Sequence, residues 1–266
     1  MYLTREQSLK ALRNMKTFNE RLRTVYSEFG MNLESNLGRR NILLSGAQER
    51  FFADALRESF PQVRSDGHTG EPDIIIPELD KELECKLTTR YQSTGALAFQ
   101  SDSMSFEGKE NGLDFLYVVA DEMFESFAVL HFIGLTRDDF HNESPGARGR
   151  VRMKKYKAMP KCQMIVGSAI DLREKRIEQY AQDLKDLITK QTNRIDELQR
   201  RHASCKAGTK LLQKTEALIE REKSRYLKRI GRIEANILKW RLKEPMYSIS
   251  LENIGDKRCQ NLICAA

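Results

Sequence analysis

The 266-residue chain has only five cysteines (Cys85, Cys162, Cys205, Cys259 and Cys264), and no CxxC pair or Cys/His cluster stands at zinc-ligand spacing. Their odd number and scatter argue against a disulfide framework and against a zinc module, and fit reduced thiols in a reducing compartment. The four histidines (His68, His131, His141 and His202) have no metal-binding spacing either. No apolar run reaches the length of a membrane span, and the N-terminus carries no apolar signal core. The expectation is a cytoplasmic protein with no membrane partner. Walker loops and helicase motifs are absent, so no nucleotide cofactor is expected. Internal repeats and low-complexity tracts are missing too.

What is present in excess is charge. Charged residues make up 31% of the chain, with 45 Lys/Arg against 38 Asp/Glu, for a net charge of +7. A basic balance favours polyanionic partners, either nucleic acid or an anionic membrane surface. The excess is uneven. Residues 171–244 hold 20 Lys/Arg and 12 Asp/Glu, so the remainder of the chain is close to neutral.

Residues 4–29 place Leu9, Leu12, Phe18, Leu22, Val25 and Phe29 at helical spacing, with Gly30 as a stop. A polar connection from Met31 to Arg40 and a second helix from Ala47 to Ser59 follow, the latter halted by Pro61. From Val63 the period changes. Residues 65–70 are dense in turn formers. Asp73-Ile74-Ile75-Ile76 is a short β-branched run ended by Pro77, and Glu82-Leu83-Glu84-Cys85-Lys86-Leu87 alternates strictly, as a two-faced strand does. Phe115–Ala120 and Phe127–Leu135 are further strand candidates, and Gln163–Val166 and Tyr247–Leu251 shorter ones. Strands between flanking helices predict an α/β fold with a mixed central sheet. Residues 168–244 predict a long antiparallel helical hairpin of coiled-coil type. In its first helix Ile177, Ala181, Leu184, Ile188, Gln191, Ile195 and Leu198 form the expected seam, flanked by Tyr180 and Leu187. In its second, Leu212, Ile219, Tyr226, Ile233 and Trp240 recur every seven residues, with Ile230 and Ile237 alternating and Leu218 and Leu227 beside them. The organisation expected is a core over 1–167, the hairpin over 168–244 and a return segment over 245–266.

Chemistry concentrates in Glu71-Pro72-Asp73 and Glu84-Cys85-Lys86. Two carboxylates can hold Mg²⁺, which prefers oxygen ligands and keeps several waters. A neighbouring lysine can orient an attacking water and offset charge on a phosphoryl transition state. Glu84 and Lys86 are two residues apart and share one strand face, while Leu83, Cys85 and Leu87 take the other. A tight turn through Pro77 to Asp80 can bring Asp73 alongside. As a bare pattern, Asp…Glu-x-Lys is weak in a chain this rich in charge. Its setting, on two strands joined by a short turn, strengthens it. An exposed Glu/Lys pair on a surface hairpin is the plain alternative.

Over roughly Ala47 to Leu135 the chain resembles the PD-(D/E)xK nuclease superfamily, which includes many type II restriction endonucleases. The resemblance implies a restriction-endonuclease-like core, a Mg²⁺ cofactor and double-stranded DNA as substrate. It puts Asp73 and Glu84 on the metal, joined by the backbone carbonyl of Cys85, and gives the water to Lys86. A helix glutamate before the first strand often accompanies such sites. Glu49 fits that position, sharing a helical face with Phe52, Ala53 and Leu56; its other reading is a first-turn carboxylate facing the helix dipole. Glu82 shares the Glu84 face as solvated edge charge or as a supporting group. A repair or recombination nuclease of the same superfamily, and a non-catalytic DNA-binding coiled-coil protein, are the alternatives to a restriction enzyme.

Ser144 to Lys161 holds no acidic residue. Arg148, Arg150, Arg152 and Lys154 alternate with Gly149, Val151 and Met153; as a strand they would point four cations one way, toward phosphates or guanine edges, and Lys155 and Lys157 extend the set. The other reading is a basic loop. Gln92 to Glu107, rich in Gln and Ser, is a second candidate contact stretch. His68 reads as a turn residue and His131 as a packed core histidine. Cutting both strands is most simply done by two sites about a two-fold axis, so a homodimer is expected. The hairpin is either a clamp along DNA or a dimerisation arm.

Overall fold

The computed structural model describes residues 2–65, 72–90, 97–109 and 111–255. His68, Glu71, Gln92, Ser93, Thr94, Cys259 and Cys264 therefore lie outside the described residues. The chain divides into two compact units, Met1–Ala169 with Tyr247–Ala266, and Ile170–Met246.

In the first unit, helix α1 (Arg5–Glu28) begins at a reciprocal cap in which Thr4 and Gln7 satisfy each other's backbone N–H. It ends at Gly30, whose φ of +68° suits a residue without a Cβ. Ala11, Leu12 and Met15 are buried, whereas Val25 and Phe29, expected on the apolar face, are exposed. Helix α2 (Leu37–Leu56) starts ten residues before the predicted Ala47 and ends before Ser59. The Asn36 side chain caps it by accepting from Arg39 N. Gly38 and Gly46 lie inside it, because Arg40, Leu44, Gln48 and Phe52 recur every four residues along a fully buried line that outweighs the glycine penalty.

Strand β1 (Ile74–Ile76) pairs antiparallel with β2 (Lys81–Thr89) through a short turn that Pro77 opens and Asp80 closes in the left-handed region. A short strand β3 (Gln100–Asp102) precedes β4 (Leu113–Ala120), which lies parallel to β2. Strand β5 (Ser126–Leu135) is antiparallel to β4. Beyond them come β6 (Arg150–Arg152), the one-turn helix α3 (Lys155–Ala158), β7 (Cys162–Val166), β8 (Ser168–Asp171), β9 (Tyr247–Ser250) and β10 (Glu252–Asn253). The main sheet runs β1-β2-β4-β5-β10, with β7 also on β5. One parallel pair among antiparallel ones makes it mixed, as the sequence predicts.

Every residue of β4 is buried, which explains its unbroken apolar run around one Asp. One face packs Leu116 and Val118, with Ile74, Leu83 and Cys85, against α1 and α2. The other packs Phe115, Tyr117 and Phe132 against Phe99, Phe140, Val151 and Met153. Each of those rings contributes roughly 1.5–3 kcal/mol by its burial. Two buried polar residues of the core, Asp114 and His131, are linked through Tyr2. Asp114 accepts from Gly134 N (2.8 Å) and Tyr2 Oη (3.0 Å), and His131 Nε2 lies 2.9 Å from the same Tyr2 oxygen. Burial pushes His131 down to about 4, so it packs as a neutral ring.

In the second unit α4 (Leu172–Ala203) and α5 (Lys210–Arg241) pack on each other along their length. His202 Nε2 lies 3.2 Å from Glu216 at one end, and Arg173 donates to Lys243 O at the other (3.4 Å), so the two helices are antiparallel. Five of the expected α4 seam residues, Ile177, Leu184, Gln191, Ile195 and Leu198, are at least partly buried. The other two, Ala181 and Ile188, face out, and their neighbours Tyr180 and Leu187 turn inward instead. Adjacent apolar residues at 187 and 188 allow two registers, and the partner helix selects one. In α5 the expected seam residues Leu212, Ile219, Tyr226, Ile230, Ile233, Ile237 and Trp240 are at least partly buried, and Leu218 and Leu227 are exposed. Among the described residues no helix is long and apolar enough to cross a membrane.

Candidate active site

Alternation along β2 sends Leu83 and Cys85 into the helix-side core and Glu84 and Lys86 to the opposite face. There Glu84 stands beside Phe115 and Lys86 beside Tyr117 on the neighbouring strand. Glu84 is only 8% exposed. A carboxylate so buried needs partners, and it has two on one oxygen: Lys86 Nζ donates to Oε1 (2.5 Å), and Ser105 Oγ donates to the same atom (3.3 Å). Ser105 belongs to the segment just after β3, and nothing in the sequence marked it as a partner of the acidic strand.

Asp73 lies one residue before β1, where pairing with β2 stops after Ile74 opposite Leu83. It continues the ladder with its side chain, since Cys85 N donates to Asp73 Oδ2 (2.7 Å). A strand residue sends its N–H and C=O toward the same edge. The Cys85 carbonyl therefore faces the edge that β1 leaves open, on the side of Asp73. The Cys85 thiol is a different matter: it is buried in the helix-side core, and burial, then Asp73, push it well up.

Glu49 reaches the same place from α2. That helix is held on the sheet by Gln48, which is fully buried and donates to Leu116 O (3.2 Å) and Lys86 O (3.5 Å). It is held again by Arg40, also fully buried, which donates to Thr89 Oγ1 (3.0 Å) and Asp121 O (3.2 Å). Arg40 and Gln48, eight residues apart on one helical face ahead of Glu49, were the available signal for this anchoring, and sequence reasoning passed over them.

The electrostatics show that the four groups share one locality. Burial first, then the neighbouring Glu84 charge, raises Asp73 to about 6. Burial first, then Asp73, raises Glu49 to about 7, with Lys86 opposing and Glu84 adding. For Lys86 burial acts downward, but Glu84 and Asp73 outweigh it and hold the ammonium above its ordinary value. Three carboxylates thus surround one lysine in a partly desolvated place, and negative charge is left over. That surplus suits a divalent cation. Among the described residues no group of three or more His, Cys, Asp or Glu is arranged to hold a metal by side chains alone. A Mg²⁺ site of two carboxylates, one main-chain carbonyl and waters does not need such a group. Glu82, on the same face, is paired with Lys109 and stays apart from this cluster.

The basic segment is less regular than its alternation suggested. Only Arg150–Arg152 is strand, and it pairs with β3 so that Gln100 faces Arg152 and Asp102 faces Arg150. Val151 and Ser101 point inward, and Arg150 and Arg152 are exposed. Arg148 lies outside the strand with φ of +52° in the turn before it. Lys154 donates to Asp138 O (3.0 Å), and Lys155 donates to Leu97 O above the Phe99 ring, its ammonium lowered by burial. Lys157 is exposed. The expected single face of four cations is therefore two arginines on a ribbon and one at its turn, because Asp138, Leu97 and Phe99 divert the lysines. A groove of about 890 Å³ opens along the ribbon, lined by Gln100, Asp102, His141, Asn142, Arg148, Arg150 and Arg152 among others. Tyr117 Oη donates to Gln100 O (2.8 Å), which fixes the ribbon over the sheet face that carries Glu84 and Lys86.

No family model matches the chain, and no curated protein or solved structure matches it either.

Proposed function

We propose that the chain is a Mg²⁺-dependent PD-(D/E)xK endonuclease with a restriction-endonuclease-like core, hydrolysing phosphodiester bonds in double-stranded DNA as a site-specific type II restriction enzyme. The observation that carries this reading is the convergence of Asp73, Glu84, Lys86 and Glu49, from three separate elements, on the edge of β2 that β1 leaves open. A surface hairpin with an incidental Glu/Lys pair would leave its carboxylates solvated and its aspartate free of the strand backbone.

Asp73, Glu84 and the Cys85 carbonyl are the groups that would hold the metal. Bound there, Mg²⁺ would supply Lewis-acid polarisation of the scissile phosphate. Lys86, held by Glu84, keeps its proton and offers a cation beside the reacting group, orienting water by hydrogen bonding and offsetting charge in the transition state. Glu49, with a pKa near neutrality, is the carboxylate best suited to accept a proton from that water. The Cys85 N–H fixes Asp73, and Ser105 fixes Glu84, so neither carboxylate has to be ordered when substrate arrives. The β3–β6 ribbon brings Arg150 and Arg152 with Gln100 and Asp102, side-chain types that bond base edges, and a two-stranded ribbon fits the major groove.

The test is to incubate the purified protein with long unmethylated DNA and Mg²⁺. Discrete fragments are expected, lost in Asp73→Ala and in Lys86→Ala. A smear would replace site specificity by nonspecific cutting, and a preference for branched or mismatched DNA would point to repair. Cleavage retained in the Asp73→Ala/Lys86→Ala double variant would refute the site.

A further inference from the structure

The positive excess of the second unit has a direction. Helix α4 carries 8 Lys/Arg and 6 Asp/Glu, and α5 carries 10 and 4. At about 100° per residue, Lys214, Arg221, Arg225, Lys228, Arg232 and Lys239 fall within about 60° of arc on α5. All six are exposed. At about 1.5 Å per residue they run for roughly 38 Å. The four carboxylates of α5 (Glu216, Glu220, Glu222 and Glu234) lie outside that arc, and Ile219, Tyr226 and Ile233 turn the far side of the helix to α4. Among the described residues, Arg225 alone of the six meets a carboxylate, Glu222 at 3.1 Å.

General solvation does not produce this pattern. The outer face of α4 shows what solvation looks like, with Lys175, Lys185 and Arg200 interleaved with Glu178, Asp186 and Asp196. Like charges four residues apart, as in Arg221/Arg225 and Lys228/Arg232, weaken a helix by a few tenths of a kcal/mol per pair. An acid-free line sustained over seven turns therefore costs stability that an interleaved face would not, and a polyanion laid along it reverses that cost.

We infer that this face of α5 is a binding site for the phosphate backbone of double-stranded DNA, independent of base sequence. A duplex presents one negative charge per about 1.7 Å of axis, so the stripe spans roughly eleven base pairs. The line contains no aromatic residue on which single-stranded bases could stack. The apolar face that a surface-lying membrane helix would insert is covered by α4. The stripe stands whether or not the first unit cuts; naming DNA rather than duplex RNA rests on the nuclease reading.

The test uses the full chain, EDTA so that cutting is silent, and fluorescence anisotropy on 30-base-pair duplexes of unrelated sequence over a range of salt. Neutralising three stripe cations together (Arg221→Gln, Lys228→Gln and Arg232→Gln) should weaken binding equally for every sequence. It should also lower the slope of log affinity against log salt by about 2–3, at about 0.9 for each phosphate left without a cation. Removing the same charge from α4 (Lys175→Gln, Lys185→Gln and Arg200→Gln) should change that slope by less than about 1. Thermal melts followed by circular dichroism verify that both variants fold. Equal losses in the two triples, an unchanged slope in the stripe triple, or a stripe dependence seen only with anionic vesicles or only with duplex RNA would overturn the inference. Absence of cleavage when Mg²⁺ is restored, with the stripe effect intact, would count against the nuclease reading alone.

Discussion

The β2 edge and the α5 stripe are both crowds of like charge, and the difference between them is solvent. At the edge, Asp73, Glu84 and Glu49 are packed against a sheet and share one ammonium, and burial first, then the neighbouring charges, raise the proton affinity of Asp73 and Glu49. Along α5 the cations stand in water at spacings of about 5–10 Å, where the repulsion between neighbours is well under 1 kcal/mol after screening. The same elementary repulsion thus yields a cluster with perturbed protonation in one place and an extended positive surface in the other. Burial decides which.

The strongest way to break this contrast is to separate cutting from binding. Asp73→Ala or Lys86→Ala should reduce Mg²⁺-dependent cleavage by about a thousandfold or more, while duplex affinity measured in EDTA stays within about threefold, because the cations proposed to bind phosphate lie elsewhere. A parallel loss of both activities would show the two regions to be one. Glu49→Gln should cost about 10²-fold in rate and should flatten the pH dependence. The protonated forms of Asp73 and Glu49 persist up to about 6 and about 7 in the metal-free protein, so Mg²⁺ affinity in the wild type should fall as pH drops through that window. Calorimetric titration between pH 5 and 8 reads this directly; an Mg²⁺ affinity independent of pH would contradict it.

A smaller effect sharpens the role of burial. The folded pKa of Asp73, about 6, lies above its ordinary value of 3.8, so the folded state binds the extra proton. Stability from that proton is fully present below about pH 4 and is lost as pH rises through 6. Asp73→Asn should therefore stabilise the metal-free protein at pH 8 by roughly 2 kcal/mol, a gain that disappears at pH 4. Denaturant melts at the two pH values test it, and a destabilised variant at pH 8 would mean that the carboxylate is compensated after all. The smallest effects discriminate the α4 registers. Leu187→Ala should cost about 1–3 kcal/mol and Ile188→Ala less than about 0.5. Equal costs would place the seam elsewhere.

Much of this was legible in the residues. Strand alternation paired Glu84 with Lys86 and opposed both to Cys85, since a period of two admits no other arrangement. Pro77 and the Ile-Ile-Ile run placed Asp73 at the head of a strand, and Gly30 marked the end of α1. The length of the hairpin and the residues of the α5 seam followed from a seven-residue repeat. Local chemistry, acting over a few bonds, suffices for all of these.

Other features needed the chain to close on itself. The start of α2 was hidden because two glycines argue locally against a helix, and only the burial of Arg40, Leu44 and Gln48 against the sheet overrides them. Adjacent Leu187 and Ile188 serve equally well as seam residues until a second helix chooses. Lys154 and Lys155 looked like free cations until Asp138, Leu97 and Phe99, distant in sequence, captured them. Ser105 had no mark of its own. That Glu49 meets Asp73 depends on a helix docked by its neighbours on strands formed later in the chain. Sequence determines which groups each element can offer and on which face; which of those groups share a dielectric, and so shift one another's protons, is decided only when distant segments exclude the water between them.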